Sequence, residues 1–99
     1  LSFPTEKQIL REHLQTDFSA SAVLKKWPSK NNERVKDTAW PIPYSILDGT
    51  LDECITKFLE LPLRQRHLYE IHTAPQGELI PRVISAELVV ELARLRDFL

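Results

Sequence analysis

Apolar side chains recur along this chain at separations of three and four residues, the spacing that gathers them on one side of an α-helix. Ile9, Leu10 and Leu14 follow it first. Thr5, with Gln8 three positions later, has the pattern of a capping box, so a helix is predicted over Thr5–Gln15. Ala20, Val23, Leu24 and Trp27 repeat the spacing and predict a second helix over Phe18–Trp27, ended by Pro28. The third helix, Leu51–Leu61, has the strongest local support. Thr50 and Glu53 form another capping-box pattern, and Leu51, Cys54, Ile55, Phe58 and Leu59 share one sector. Pro62 suits the first position of a fourth helix over Pro62–His72, with Leu63, Leu68 and Ile71 turned inward. A last helix runs from Ala86 to the end. Ser85 is its candidate cap, and Leu88, Leu92, Leu95 and Leu99 form its seam.

Between these periodic stretches the pattern lapses. Residues 28–49 begin with the polar run Ser29-Lys30-Asn31-Asn32-Glu33-Arg34. They continue to Trp40-Pro41-Ile42-Pro43, where residues preceding proline avoid helix. A short helical turn around Glu33–Thr38 is expected, with Trp40, Ile42 and Tyr44 pinning the segment to the core. Leu79–Ile84 reads as extended, and Pro81 argues against a central strand there. Only two glycines occur, at positions 49 and 77, whereas hairpin turns need residues that tolerate positive φ. The expectation is therefore an all-α fold, a small bundle of about five short helices with a long irregular segment near residues 28–49. All 99 residues would form one domain, since 42 % apolar and 27 % charged residues describe an ordinary globular chain.

Charge changes this picture locally. Thirteen Lys and Arg against fourteen Asp and Glu give a net charge of -1, which is not the global signature of a nucleic-acid binder. The near-neutral sum conceals a cancellation. Residues 25–36 hold Lys25, Lys26, Lys30, Arg34 and Lys36 against Glu33 alone, while residues 48–60 hold four acids against Lys57. Basic residues with Trp27 among them are what a phosphate- or strand-binding surface needs, although Trp27 also belongs to the apolar stripe and is expected in the core. On the predicted fourth helix, Gln65, Arg66, Tyr69 and His72 fall on the side away from Leu63, Leu68 and Ile71. Arg and Tyr favour protein interfaces, and Gln and Arg can read base edges.

Chemistry is sparse. With two glycines there is no phosphate-binding loop and no nucleophile elbow. His67 and His72 are five apart, pointing about 140° from each other on a helix, so they make poor co-ligands. Cys54 falls at the edge of an apolar sector, where a thiol behaves as a small hydrophobe. His13 reads as a hydrogen-bonded core residue. No cofactor, no metal and no enzymatic activity are expected. The last helix is apolar on more than one side, because Val90 lies about 200° from Leu88 and Phe98 extends the other flank. Val90 and Phe98 thus suggest self-association as a homodimer.

The leading expectation is a small soluble protein-interaction or regulatory module that presents Gln65, Arg66, Tyr69 and His72 to a protein partner. The alternative is a helix-turn-helix-like nucleic-acid binder using the basic helix 62–72 with the 25–36 segment. No stretch reaches the roughly 20 apolar residues of a membrane span. Pro4, Glu6 and Lys7 speak against a signal peptide in residues 1–10, and one thiol fits a reducing cytoplasm.

Overall fold

The computed structural model describes residues 16–35 and 42–98. Its order is β1 (Ser21–Lys26), β2 (Ser29–Lys30), β3 (Glu33–Arg34), β4 (Tyr44–Thr50), α1 (Leu51–Leu59), a 3-10 helix (Leu63–Leu68), β5 (Tyr69–Thr73), β6 (Val83–Ile84) and α2 (Ala86–Phe98). Four strands form an antiparallel sheet in the order β4-β1-β5-β6, and β2 with β3 makes a separate hairpin. The expected all-α bundle is thus replaced by a mixed α/β fold with two α-helices among the described residues. The helix predicted at Thr5–Gln15, with His13, lies outside those residues.

The physical reason for the correction is clearest in β1. The predicted helix over Phe18–Trp27 is a turn followed by an interior strand of the sheet. Its apolar residues fit a period of two as well as one of 3.6, a common ambiguity of short runs. Ala22 and Leu24 point to one side and are buried, while Ser21, Val23 and Lys25 point to the other. Hydrogen-bonded partners on both sides satisfy the β1 backbone. Leu24 lies between Leu47 of β4 and Ile71 of β5, and β4 bulges at Ile46, between the Leu24 and Lys25 pairings. Those partners are distant in sequence, so no local window contains them.

The predicted fourth helix divides in the same way. Leu63–Leu68 is 3-10 helix and Tyr69–Thr73 is strand. Tyr69, Ile71 and Thr73 alternate inward against Glu70 and His72, the signature of a half-buried strand. The described residues of the expected irregular segment form a hairpin and β4, and Ile42 and Tyr44, expected to pin it to the core, are exposed, while Trp40 lies outside the described residues. Scarce glycine does not prevent the hairpin, because Asn31 (φ 54°) and Asn32 (φ 64°) supply the two left-handed residues of its turn.

Two helices are where the sequence places them. In α1, Thr50 Oγ1 accepts from Glu53 N, and Glu53 Oε1 accepts from Thr50 N, each at 3.1 Å. Leu51, Cys54, Ile55 and Phe58 are its buried residues. In α2 the Ser85 hydroxyl accepts from Leu88 N at 3.4 Å. Its buried stripe is Val89, Leu92 and Ala93 rather than the seam centred on Leu88 and Leu95. Both helices cover the face of the sheet that carries Ala22, Leu24, Ile71 and Ile84, and Arg96 ties them by donating to Asp52 and Thr56. The opposite face carries Asp48, Val23, His72 and Val83 in one register row and Lys25 and Glu70 in the next.

Cys54 lies within this core, and its thiol donates weakly to the Leu47 carbonyl. Burial pushes the Cys54 thiol up from 9.0 to about 11. A thiol raised on folding stabilises the native state below pH 9, and that contribution is lost as pH rises toward 11. The expected loss is about 2–3 kcal/mol. Urea unfolding across the alkaline range should therefore steepen for the wild type relative to Cys54→Ala. Parallel curves would contradict the assignment.

Candidate functional site

The hairpin folds back onto the 3-10 helix through contacts made at its turn and in its second strand. Asn32 Nδ2 donates to the Arg64 carbonyl at 2.8 Å, and His67 Nε2 lies 2.7 Å from the Asn32 carbonyl. Because a carbonyl only accepts, that His67 nitrogen carries the hydrogen. Arg34 donates to the His67 carbonyl through Nη2 at 2.9 Å. The left-handed Asn-Asn turn is what directs the Asn32 groups toward residues 64–67. Two basic segments that are separate in the sequence thereby meet.

Between them lies a polar cavity of about 340 Å³ lined by Lys26, Ser29, Asn32, Arg64, Gln65 and Leu68. Lys26 extends over the Tyr69 ring, 5.9 Å from its centre. Arg64 is exposed at its rim, and Lys30 and Arg34 are exposed on the hairpin. Glu33 is the exposed acid of the hairpin. The cavity presents cationic groups with amide and hydroxyl donors over a single apolar floor residue, Leu68. That combination suits an anion.

Beside the hairpin, on the sheet face away from the helices, a second cluster centres on Glu70. Its side chain is only 10 % exposed, and its two carboxylate oxygens are divided between partners. Oε1 accepts from the Trp27 indole Nε1, and Oε2 lies 2.5 Å from His72 Nε2. Arg34 Nη2 stands 3.9 Å from Oε1 and places its guanidinium 5.0 Å from the Trp27 ring centre. Trp27 therefore does not enter the core. It is half-buried between a carboxylate and a guanidinium, and its backbone N–H extends the β1–β5 pairing to Leu68. A carboxylate is tolerated at this depth because donors satisfy it.

The four residues expected to share one helix face are dispersed. Gln65 lines the cavity. Arg66 folds back to donate to the Leu59 and Leu61 carbonyls at the end of α1, with its guanidinium 5.4 Å from the Phe58 ring centre. Tyr69 is 7 % exposed and belongs to the core. His72 lies on the other sheet face. The recognition helix of a helix-turn-helix reader is not formed, since these residues are 3-10 helix and strand. Of the basic segment, Lys25 is on the Glu70 face, Lys26 lines the cavity, Lys30 is exposed on the hairpin and Arg34 reaches Glu70 and the His67 carbonyl; Lys36 lies outside the described residues. Val90 is half-buried against the core, whereas Phe98 is 72 % exposed.

The sequence singles out neither Asn32 nor Glu70 as a site residue, and Arg64 enters only as part of the basic stretch 62–72. The alternation Tyr-Glu-Ile-His-Thr is the signal that places Glu70 beside His72. Among the described residues, no group of three or more His, Cys, Asp or Glu is placed to hold a metal ion. No described helix is long and apolar enough to cross a membrane. Comparisons with protein-family models, curated proteins and solved structures found no match for the chain.

Proposed function

We propose that this protein binds nucleic acid through its phosphates, using the surface built by the β2–β3 hairpin and the 3-10 helix. One observation carries the reading. The hairpin turn docks on residues 64–67 and brings Lys26 together with Arg64 around one polar cavity, with the exposed Lys30 and Arg34 on the same hairpin. Neutralising backbone phosphates releases counterions, and this dominates such affinities. The mode differs from helix insertion into a groove. Cationic side chains contact the backbone, and Gln65 and Asn32 stand among them as hydrogen-bonding groups. The same reading places the protein in the cytoplasm, where nucleic acid and a reduced Cys54 thiol coexist.

Fluorescence anisotropy with labelled single-stranded and duplex oligonucleotides across a salt series tests this. About three phosphate contacts predict a slope of log K against log salt near -2 for a single strand. Lys26→Ala combined with Arg64→Ala should weaken binding about tenfold and bring the slope toward about -1. Arg94→Ala, at an exposed position of helix α2, should change neither. No salt-dependent binding to either form would end the reading. It would leave the protein-interaction module, favoured by the exposed Ile42, Tyr44 and Ile46 on and beside β4. That strand's outer edge carries no neighbour among the described residues.

A further inference from the structure

We propose that Glu70 and His72 form a proton-transfer site that cleaves RNA, with the substrate's own 2′-hydroxyl as the nucleophile. The proposal rests on the nucleic-acid reading above and adds a reaction to it. Residues 70 and 72 are two apart on β5 and project from the same sheet face. His72 Nε2 lies 2.5 Å from Glu70 Oε2, so the carboxylate accepts and Nε2 carries the hydrogen. In the neutral imidazole this leaves the lone pair on Nδ1, free of hydrogen-bond partners among the described residues. Glu70 is itself fixed by the Trp27 indole, so the imidazole is held in one tautomer and orientation. A base whose ring is set by a buried carboxylate is the proton-accepting half of a catalytic triad.

The other half, a nucleophile on the chain, is missing among the described residues. No hydroxyl or thiol there is hydrogen-bonded to His72. The Thr73 hydroxyl donates to the Ser21 carbonyl at 3.0 Å and points to the other face. Cys54 is buried in the core, its thiol pushed up to about 11. A substrate that carries its own nucleophile next to the bond that breaks needs none from these residues. A ribose 2′-hydroxyl beside its 3′-phosphodiester is such a nucleophile, whereas deoxyribose lacks it.

The surroundings suit that substrate. Arg34 belongs both to the Glu70 cluster and to the hairpin surface, and His72, whose side chain is 28 % exposed, shares the Glu70 carboxylate with it. Lys25 is the register partner of Glu70 on the same face and supplies positive charge near a developing phosphorane. In the step, His72 Nδ1 takes the 2′-hydroxyl proton, the 2′ oxygen bonds to phosphorus, and the bond from phosphorus to the 5′ oxygen breaks. The departing oxygen takes a proton from water, and the hydroxide left behind is neutralised by the proton that His72 releases. The products are a 2′,3′-cyclic phosphate and a 5′-hydroxyl.

The test incubates an end-labelled single-stranded RNA with the protein in the presence of a metal chelator. An all-deoxy strand of the same sequence runs alongside, and a fully 2′-O-methylated strand measures binding without cleavage. Wild-type protein should cut the RNA to cyclic-phosphate ends and leave the deoxy strand intact. His72→Gln keeps a donor for Glu70 but lacks the second ring nitrogen. It should slow cleavage by about 10²-fold or more while binding the methylated strand as well as wild type does. RNA that is bound but left whole, or cut equally fast by His72→Gln, overturns the proposal and leaves the binding function standing. Neither binding nor cleavage overturns both. Should His72→Gln unfold, an RNA with one 2′-deoxy nucleotide decides instead. Loss of cutting at that position alone supports the proposal, and cutting there refutes it.

Discussion

Replacing Phe58 with alanine is expected to cost about 3–5 kcal/mol, the range for emptying a fully enclosed aromatic site. Phe58 is completely buried on α1, at the place where the helix meets the sheet and α2. It also supports the chain beyond the helix. The Arg66 guanidinium lies over its ring while donating to the Leu59 and Leu61 carbonyls. Without the ring, Arg66 loses the surface that holds it against the helix end, and the 3-10 segment loses its anchor. Domains of this size are stable by roughly 5–15 kcal/mol, so the substitution removes a large share of the total. Equilibrium urea unfolding monitored by circular dichroism checks this. Phe58→Leu keeps most of the apolar volume and should cost markedly less. Equal costs for the two would mean that the site does not depend on filling its volume.

Glu70→Ala is expected to be nearly as damaging, at about 3 kcal/mol, for a different reason. The change removes little apolar area. It strips the acceptor from the Trp27 indole N–H and from His72, and it removes the carboxylate facing Arg34. A buried donor left without a partner costs about 1–3 kcal/mol, and hydrogen bonds to a charged group are worth about 1.5–3 kcal/mol. Arg34 is well exposed, so its loss of an ion pair contributes little. Glu70→Gln retains an acceptor for Trp27 and should fall between wild type and alanine. The same urea titrations, with a double-mutant cycle combining Glu70→Ala and Trp27→Phe, isolate the indole contribution. Additive costs would show that the indole hydrogen bond is not what retains a carboxylate in β5.

These expectations involve parts of the protein that differ in how they are encoded. Helix α1 is written in adjacent residues, since the Thr50–Glu53 box and the apolar sector of 51–58 need nothing beyond one segment. Helix α2 is equally local in extent, but which of its sides is buried is not. Val89, Leu92 and Ala93 win over Leu88 and Leu95 because the sheet and α1 lie on that side. The hairpin carries a local signal too, in Lys30-Asn31-Asn32-Glu33. It is obscured when glycine alone is taken to supply positive φ, although asparagine enters the left-handed region with little penalty. Strand β5 was legible from its alternation, had the helical spacing of Leu63, Leu68 and Ile71 not run through it.

Strand β1 is the opposite case. Its residues satisfy helical and strand periods together, and the choice is made by β4 and β5, which lie about 20 and 50 positions away and offer backbone partners on both edges. A strand has no hydrogen bonds of its own, so its existence depends on neighbours that local sequence does not contain. The same dependence governs the two candidate sites. The positive charge of residues 25–36 can be counted directly, and so can the four acids of residues 48–60 that hide it in the total. That Arg64 joins this charge around one cavity follows from where the hairpin docks. That Glu70 is a buried carboxylate bonded to Trp27 and His72 follows from the pairing of β1 with β5. The helix caps at Thr50 and Ser85 and the charge counts are short-range properties and belong to the sequence alone. Sheet register, the burial of a carboxylate and the meeting of distant cations are long-range, and only the packed chain decides them.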